Sequence, residues 1–108
     1  YLKVWIPPVP KPKLVPDDFD FEKILPEWRV NLNAQELTRV FEFKDFKDAF
    51  EFMTLCAHLA EQLAPHPDWS NSWNRVSVRL STHSMKALTE LDVTMASAMD
   101  QFARQVLV

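Results

Sequence analysis

The sequence contains no glycine among its 108 residues. A glycine-rich phosphate loop and a dinucleotide-binding fingerprint both need glycine where the backbone approaches the ligand, so the common kinds of nucleotide-dependent chemistry are excluded. Tight turns must use other residues, and asparagine is the next most tolerant of a positive φ. We therefore expect the turns to lie at the asparagines, which are Asn31, Asn33, Asn71 and Asn74.

Cysteine and long apolar runs are also scarce. Cys56 is the only cysteine, which excludes an intrachain disulfide and a cysteine-based zinc site. It lies in an apolar helical pattern, so we expect it to behave as a small buried hydrophobic residue. No stretch approaches the roughly 20 apolar residues of a membrane span, and no signal-peptide pattern is visible. We expect a cytoplasmic protein with no membrane partner, or an organellar one if an upstream targeting segment has been removed.

An excess of positive charge is missing as well. The net charge is −3, with acidic and basic residues interspersed. Direct nucleic-acid binding usually needs a basic face, so nucleic acid is not an expected partner. The length suits one domain.

Prolines divide the chain into two parts. Most of them lie near the start, where they prevent a regular helix and disfavour a central strand; these are Pro7, Pro8, Pro10, Pro12 and Pro16. We expect residues 1–24 to form an extended Pro-rich arm that lies against the domain or a partner. Residues 25–108 are expected to form the globular domain.

Hydrophobic spacing in the globular part predicts two strands, a helix, two strands and a last helix. The strands are predicted over residues 28–32, 37–43, 69–73 and 76–81, with turns at Asn33–Ala34 and Asn74–Arg75. Arg39 is the polar exception on the apolar face of the second strand. Antiparallel neighbours with the helices on one face give an α+β class, a two-layer fold with a four-stranded sheet in the order β2-α-β2-α.

Two adjacent apolar stripes predict the first helix over residues 46–63. Asp45 is its expected N-cap, and Pro65 ends it by restricting Ala64. Because the apolar arc is wide, we expect burial on two sides, against the sheet and against a second helix or subunit. The pattern from Thr89 to Asp92 is a capping box that opens the last helix.

Histidines, tryptophans and carboxylates concentrate between residues 61 and 92. The unperturbed pKa of histidine, about 6.5, suits proton transfer near neutral pH. Two histidines beside carboxylates and aromatic rings favour acid–base chemistry on a flat, polar, aromatic substrate. The residues concerned are Glu61, His66, Pro67, Trp69, Trp73, His83 and Asp92.

This constellation resembles the signature of the pterin-4a-carbinolamine dehydratase family. That signature is a Glu, three residues, His-His-Pro, then an aromatic, a His and a later Asp. Pro65 stands where the family has its first histidine. The resemblance covers about residues 25–105, and the positions at matching spacings are Glu61, His66, Pro67, Trp73, His83 and Asp92.

The resemblance implies a dehydration that uses neither a metal nor another cofactor. Members of the family remove water from 4a-hydroxytetrahydropterin and give the quinonoid dihydropterin of tetrahydrobiopterin recycling. It also implies a homodimer or homotetramer. By this resemblance His83 is a general acid/base, His66 binds the pterin and assists proton transfer, and Glu61 and Asp92 orient the histidines or contact the substrate. The substrate-binding residues would be His66, Pro67, Trp69, Trp73, Ser81 and Thr82.

Pro65 separates this sequence from the family pattern. The replaced histidine is, in the family, one of two that act on opposite stereoisomers of the hydroxyl, and a proline side chain has neither donor nor acceptor. We expect a reduced or stereochemically narrowed dehydratase carried by His83. The alternative is a catalytically weak or inactive family member that acts as an assembly factor or dimerisation cofactor, for example for Rubisco or a transcription factor.

Each residue of the constellation also has a structural explanation. Asp92 can serve only the capping box, and Glu61 can be a solvated helix residue. The two histidines can be ordinary loop residues, and the two tryptophans can belong to a core or an interface. The histidines and carboxylates would also suit a metal by ligand type, although the resemblance implies none. Singly, the structural explanations are favoured; jointly, at these spacings, they are not.

Overall fold

The computed structural model describes residues 13–63, 67–82 and 85–107. They contain a four-stranded antiparallel sheet in the order β1-β2-β4-β3, together with three helices. The predicted two-layer α+β class and the order of the main elements are confirmed. The elements are α1 (Phe21–Ile24), β1 (Arg29–Asn31), β2 (Glu36–Glu42), α2 (Phe46–Leu63), β3 (Asp68–Ser72), β4 (Arg75–Leu80) and α3 (Glu90–Leu107). The sequence patterns did not predict the single helical turn α1.

One face of the sheet packs against both long helices. Alternate residues of β2 and β4 point into this core, and apart from Arg39 they are fully or almost fully buried, as the period of two requires. Phe52 of α2 lies against Phe41 and Phe43, with ring centroids 4.6 and 5.1 Å apart. The thiol of Cys56 is buried one helical turn further on, as predicted.

Arg39, the polar exception on β2, is explained by α3. Its guanidinium pairs with Asp100 and lies over the Phe41 ring, 4.3 Å from the centroid. Trp28 Nε1 donates to the same carboxylate oxygen at 2.8 Å. Asp100 on α3 thus accepts from two donors that would otherwise lie in the interior without a hydrogen-bond partner. The contact also helps to hold α3 against the sheet.

The backbone takes a positive φ at residues other than asparagine. Within the described ranges the left-handed positions are Gln35 (55°), Trp73 (52°) and Lys86 (50°). The predicted turn at Asn74–Arg75 is wrong by one residue, because Trp73 and Asn74 form the turn and Arg75 begins β4.

Asn31 and Asn71 lie at strand positions, so their prediction as turn residues is also wrong. They stabilise the turns through their side chains instead. Asn31 Oδ1 accepts from the Ala34 amide at 3.1 Å. Asn71 Nδ2 donates to the carbonyls of Trp73 and Arg75, at 3.1 and 2.8 Å. Side-chain hydrogen bonds of this kind stabilise turns that in other proteins often contain glycine.

The start of α2 agrees with the prediction, since the Asp48 amide donates to Asp45 Oδ1 at 2.9 Å. Within the described residues, α2 packs against both the sheet and α3, so α3 supplies the second helix that the wide apolar arc predicted. Phe46 and Phe50 on the other side are 46% and 57% exposed, with their ring centroids 5.8 Å apart.

The N-terminal segment, from the first described residue, runs beside the start of α3. The Glu90 amide donates to the Lys13 carbonyl at 2.9 Å, and the Val15 amide donates to Leu88 at 3.3 Å. Residues 1–12 of the predicted arm lie outside the described residues, and the boundary at residue 25 stays a prediction. None of the helices within the described ranges is long and apolar enough to cross a membrane.

Candidate active site

Asp92 is the most buried of the candidates that the structure describes, with no exposed surface. It lies in the first turn of α3, where the helix dipole favours a carboxylate. Its Oδ2 accepts from the Thr89 amide at 3.0 Å, as the predicted capping box requires. The same oxygen accepts from Thr82 Oγ1 at 2.8 Å, and the hydroxyls of Thr82 and Thr89 lie 2.7 Å apart. We call these three residues the Thr82–Thr89–Asp92 cluster.

A tight loop after β4 brings the two threonines together. The Thr82 amide donates to the Ala87 carbonyl at 3.2 Å, and the Met85 amide donates to the Thr82 carbonyl at 3.1 Å. Lys86, with its positive φ, completes the reversal. His83, the predicted general acid/base, follows Thr82 directly in the sequence but lies outside the described residues.

Gln35 connects this loop to the β1–β2 turn, and the sequence analysis missed it. Its backbone carbonyl accepts from Ser81 Oγ at 2.8 Å. Its side-chain Oε1 accepts from the Leu88 amide at 3.1 Å, while Nε2 donates to the Leu32 carbonyl at 2.7 Å. No sequence signal identifies such a residue, because its partners are determined by strand register.

The end of α2 and the start of β3 carry the next candidates. Glu61 is exposed in the last turn of α2. Pro65 and His66 lie outside the described residues. Pro67 is half-buried immediately before β3, and Trp69 on β3 is half-buried against the core. The exposure of Glu61 agrees with a solvated residue and equally with one that is open to a substrate.

Trp73 lies apart from the Thr82–Thr89–Asp92 cluster. It is 63% exposed in the β3–β4 turn, whereas Ser81 and Thr82 follow the opposite end of β4. A six-residue strand at about 3.3 Å per residue separates the two ends by roughly 20 Å. The described part of one chain therefore does not bring Trp73 to the cluster, and its role in substrate binding stays a prediction.

A cavity of about 250 Å³ opens beside Ser81. Its charged residues are partly paired: Arg79 lies 3.4 Å from Asp68 and 3.7 Å from Glu36. Lys86 and Ala34 complete the lining. Within the described ranges, no group of three or more histidine, cysteine or acidic side chains could hold a metal ion.

Comparison with known proteins places residues 14–102 in the family model described as pterin 4 alpha carbinolamine dehydratase. A protein of Synechococcus sp. (strain WH7803), named "Putative pterin-4-alpha-carbinolamine dehydratase", is 50% identical over 76 residues, which are 70% of this chain and 80% of the relative. A protein of the same name from Sinorhizobium fredii (strain NBRC 101917 / NGR234) is 42% identical over 94 residues, covering 82% and 90% of the two chains.

Two solved structures share the fold. The crystal structure of a transcriptional coactivator/pterin dehydratase from Brucella melitensis has a TM-score of 0.75 and 39% identity, over 84% of this chain and 99% of that one. A pterin dehydratase-like protein described as a RuBisCO assembly factor in the alpha-carboxysome has a TM-score of 0.62 and 22% identity, over 71% and 89%. The second likeness concerns the fold alone. With the family model matching most of the chain, the protein belongs to the pterin-4a-carbinolamine dehydratase family.

Proposed function

We propose that the protein dehydrates 4a-hydroxytetrahydrobiopterin to quinonoid dihydrobiopterin by histidine acid–base catalysis. The C4a–O bond breaks, the hydroxyl leaves with one added proton as water, and N5 loses a proton as the C4a–N5 double bond forms. The reaction involves no net oxidation. Family membership supports the reaction class, and the buried carboxylate of the Thr82–Thr89–Asp92 cluster is the observation that carries the proposal.

The cluster holds a buried carboxyl group close in sequence to the expected acid/base. Asp92 is buried and accepts from a backbone amide and a hydroxyl, so its carboxylate is held in one orientation. His83 follows Thr82 in the chain, which keeps its backbone within one residue of a group bonded to Asp92. In this proposal His83 donates a proton to the leaving hydroxyl, and Asp92 orients a histidine or contacts the substrate.

The remaining roles follow the family pattern. His66 would bind the pterin and assist proton transfer, between two prolines that restrict its backbone. Glu61 would orient a histidine or contact the substrate from the exposed last turn of α2. Ser81 lines the neighbouring cavity, which supports a place for Ser81 at the substrate, and Thr82 follows it in the chain.

Pro65 leads to the decisive experiment. Both stereoisomers of the 4a-hydroxypterin are assayed with the native chain, with Pro65→His, and with Pro26→His as a control that adds a histidine at an exposed proline. We expect the native chain to turn over one isomer faster, and Pro65→His to raise the rate on the other by about 10²-fold or more, the usual contribution of a positioned acid/base. A native chain that is inert towards both isomers would contradict the proposal.

A second candidate function is binding without turnover, as an assembly factor or dimerisation cofactor. Two observations favour it: the exposed pair Phe46 and Phe50 on α2, and the Brucella melitensis homologue described as a transcriptional coactivator/pterin dehydratase. An inert native chain that gains activity with Pro65→His would favour this function. The matching test compares pull-downs with the native chain and with Phe50→Glu as bait. We expect a specific partner to be recovered with the native chain and lost with Phe50→Glu.

A further inference from the structure

We propose that Gln35 is a positioning residue that holds the Thr82–Thr89–Asp92 cluster in its arrangement. The structural part of this proposal depends only on the contacts of the cluster. The catalytic part of the proposal, an effect on turnover, rests on the dehydratase function proposed above.

The contacts of Gln35 fall on both ends of the loop that carries the cluster. Ser81 bonds to its backbone carbonyl, and the Leu88 amide bonds to its side-chain oxygen. Each of these partners stands immediately before a threonine of the cluster, since Thr82 follows Ser81 and Thr89 follows Leu88. Gln35 therefore holds both threonines through their neighbours, which are its hydrogen-bond partners.

The backbone of Gln35 adopts a left-handed conformation that allows these contacts. Its φ of 55° lies in the left-handed region, which a side chain with a Cβ adopts only at a conformational cost. In this conformation the carbonyl meets Ser81 while the amide side chain spans from the Leu32 carbonyl to the Leu88 amide. A strained conformation that satisfies three polar contacts indicates that the surroundings require a particular side chain there.

The consequence concerns the hydroxyls that bind Asp92. Thr82 must keep its Oγ1 close to both Thr89 and Asp92, at 2.7 and 2.8 Å, and hydrogen bonds weaken steeply when their geometry changes. Loss of the Gln35 contact leaves the Leu88 amide, directly before Thr89, without this acceptor, while the Leu88 carbonyl keeps its bond from the Val15 amide. We infer that the cluster loosens as a unit when the Gln35 side chain loses its acceptor.

The test uses three variants of the full chain. Gln35→Met removes both polar groups of the side chain at similar length, and Gln35→Glu keeps an oxygen that can accept from the Leu88 amide. Gln105→Met is the matched control, the same change at an exposed position of α3. Amide hydrogen exchange is followed at Leu88, at Thr89 and, as an internal reference for global stability, at Val78 of β4.

In Gln35→Met we expect exchange at both Leu88 and Thr89 to accelerate by about 10-fold or more relative to Val78. Gln35→Glu should restore protection at both amides, and Gln105→Met should leave all three unchanged. Protection that is lost at Leu88 but kept at Thr89 would overturn the inference, because the effect would then end at the direct partner. Equal acceleration at Val78 would overturn it too, since it would report general destabilisation.

Turnover supplies the second readout. If the native chain is a dehydratase, Gln35→Met should lower kcat by about 10-fold to 100-fold with little change in KM, and Gln35→Glu should recover most of it. A higher KM at constant kcat would contradict a positioning role. If the native chain is inert, the dehydratase proposal fails at that point, while the exchange measurements still decide whether Gln35 holds the cluster.

Discussion

Among single residues, Asp92 has both a structural and a functional explanation. It caps α3 through the Thr89 amide, which the sequence pattern predicts. It also accepts from Thr82 at the end of β4 and has no exposed surface. A capping carboxylate at a helix start needs no such burial, so the second donor and the burial are what make Asp92 a candidate for the site.

Cys56 shows how far a single residue can be predicted. Its place in an apolar helical pattern indicated burial, and the structure confirms it. The structure adds that burial raises the pKa of the thiol from 9.0 to about 12. This value depends on how completely the surrounding side chains exclude water, which the sequence pattern does not specify.

The raised pKa gives a prediction about alkaline stability. The folded chain keeps the Cys56 thiol protonated up to about pH 12, whereas the unfolded chain loses that proton above its ordinary pKa of 9.0. This contribution to stability is complete below pH 9 and is lost as the pH rises towards 12, at up to about 1.4 kcal/mol per pH unit. Urea unfolding of the native chain and Cys56→Ala between pH 8 and 11 measures it. Parallel pH dependences would contradict the prediction.

A matched control moves the thiol to the surface. Ser97 is exposed on α3, so the double variant Cys56→Ala with Ser97→Cys carries a solvent-accessible thiol. We expect Ellman's reagent to modify it rapidly in the folded chain, while the native Cys56 reacts only after unfolding.

At the level of elements, the strands and helices follow from hydrophobic period, whereas their junctions do not. The helix α2 was predicted over the observed residues because its apolar stripes and the Asp45 cap agree. The β3–β4 turn was displaced by one residue because Trp73, a bulky aromatic, takes the left-handed position. The propensity of asparagine favoured Asn74 for the left-handed position, but the register of β3 and β4 places Trp73 there.

The contact between β2 and α3 provides a prediction about how the elements are held together. Asp100→Asn removes the charge that pairs with Arg39 and weakens the acceptor for Trp28. Because the Arg39 side chain is 23% exposed and keeps some solvation, we expect a loss of about 2 kcal/mol in the free energy of unfolding. Chemical denaturation measures the change.

The control for this prediction is an ion pair on the open face of the sheet. Arg75 and Glu42 lie 2.8 Å apart, but their side chains are 59% and 60% exposed. We expect Arg75→Met to cost less than about 1 kcal/mol, because water and salt screen such a pair. Equal losses for Asp100→Asn and Arg75→Met would show that burial does not strengthen the β2–α3 contact.

At the level of the whole molecule, the exposed side of α2 indicates an interface. Phe46 and Phe50 are too large and too close together to be typical isolated surface residues. A second copy of the chain is the simplest occupant, in agreement with the predicted homodimer or homotetramer. Such packing would cover the side of α2 that the sheet and α3 leave exposed.

This proposal can be tested by sedimentation velocity on the native chain, Phe50→Glu and Leu107→Glu. Phe50 and Leu107 are equally exposed at 57%, so the two variants place the same charge at matched positions on different helices. We expect an oligomer for the native chain and for Leu107→Glu, and a smaller species for Phe50→Glu. A native chain that sediments as a monomer would contradict the interface.

The sequence by itself determined the fold class, the span of α2, the capping box and the family, because these depend on local period and on fixed spacings along the chain. Only the tertiary structure decided the partners of Arg39, the burial of Asp92 and the hydrogen bonds of Gln35. Each of these contacts joins residues from different elements, and strand register and helix packing determine which side chains meet. The absence of glycine shows the same division: it predicted that other residues must form the turns, and the strand register determined that Gln35 and Trp73 are among them.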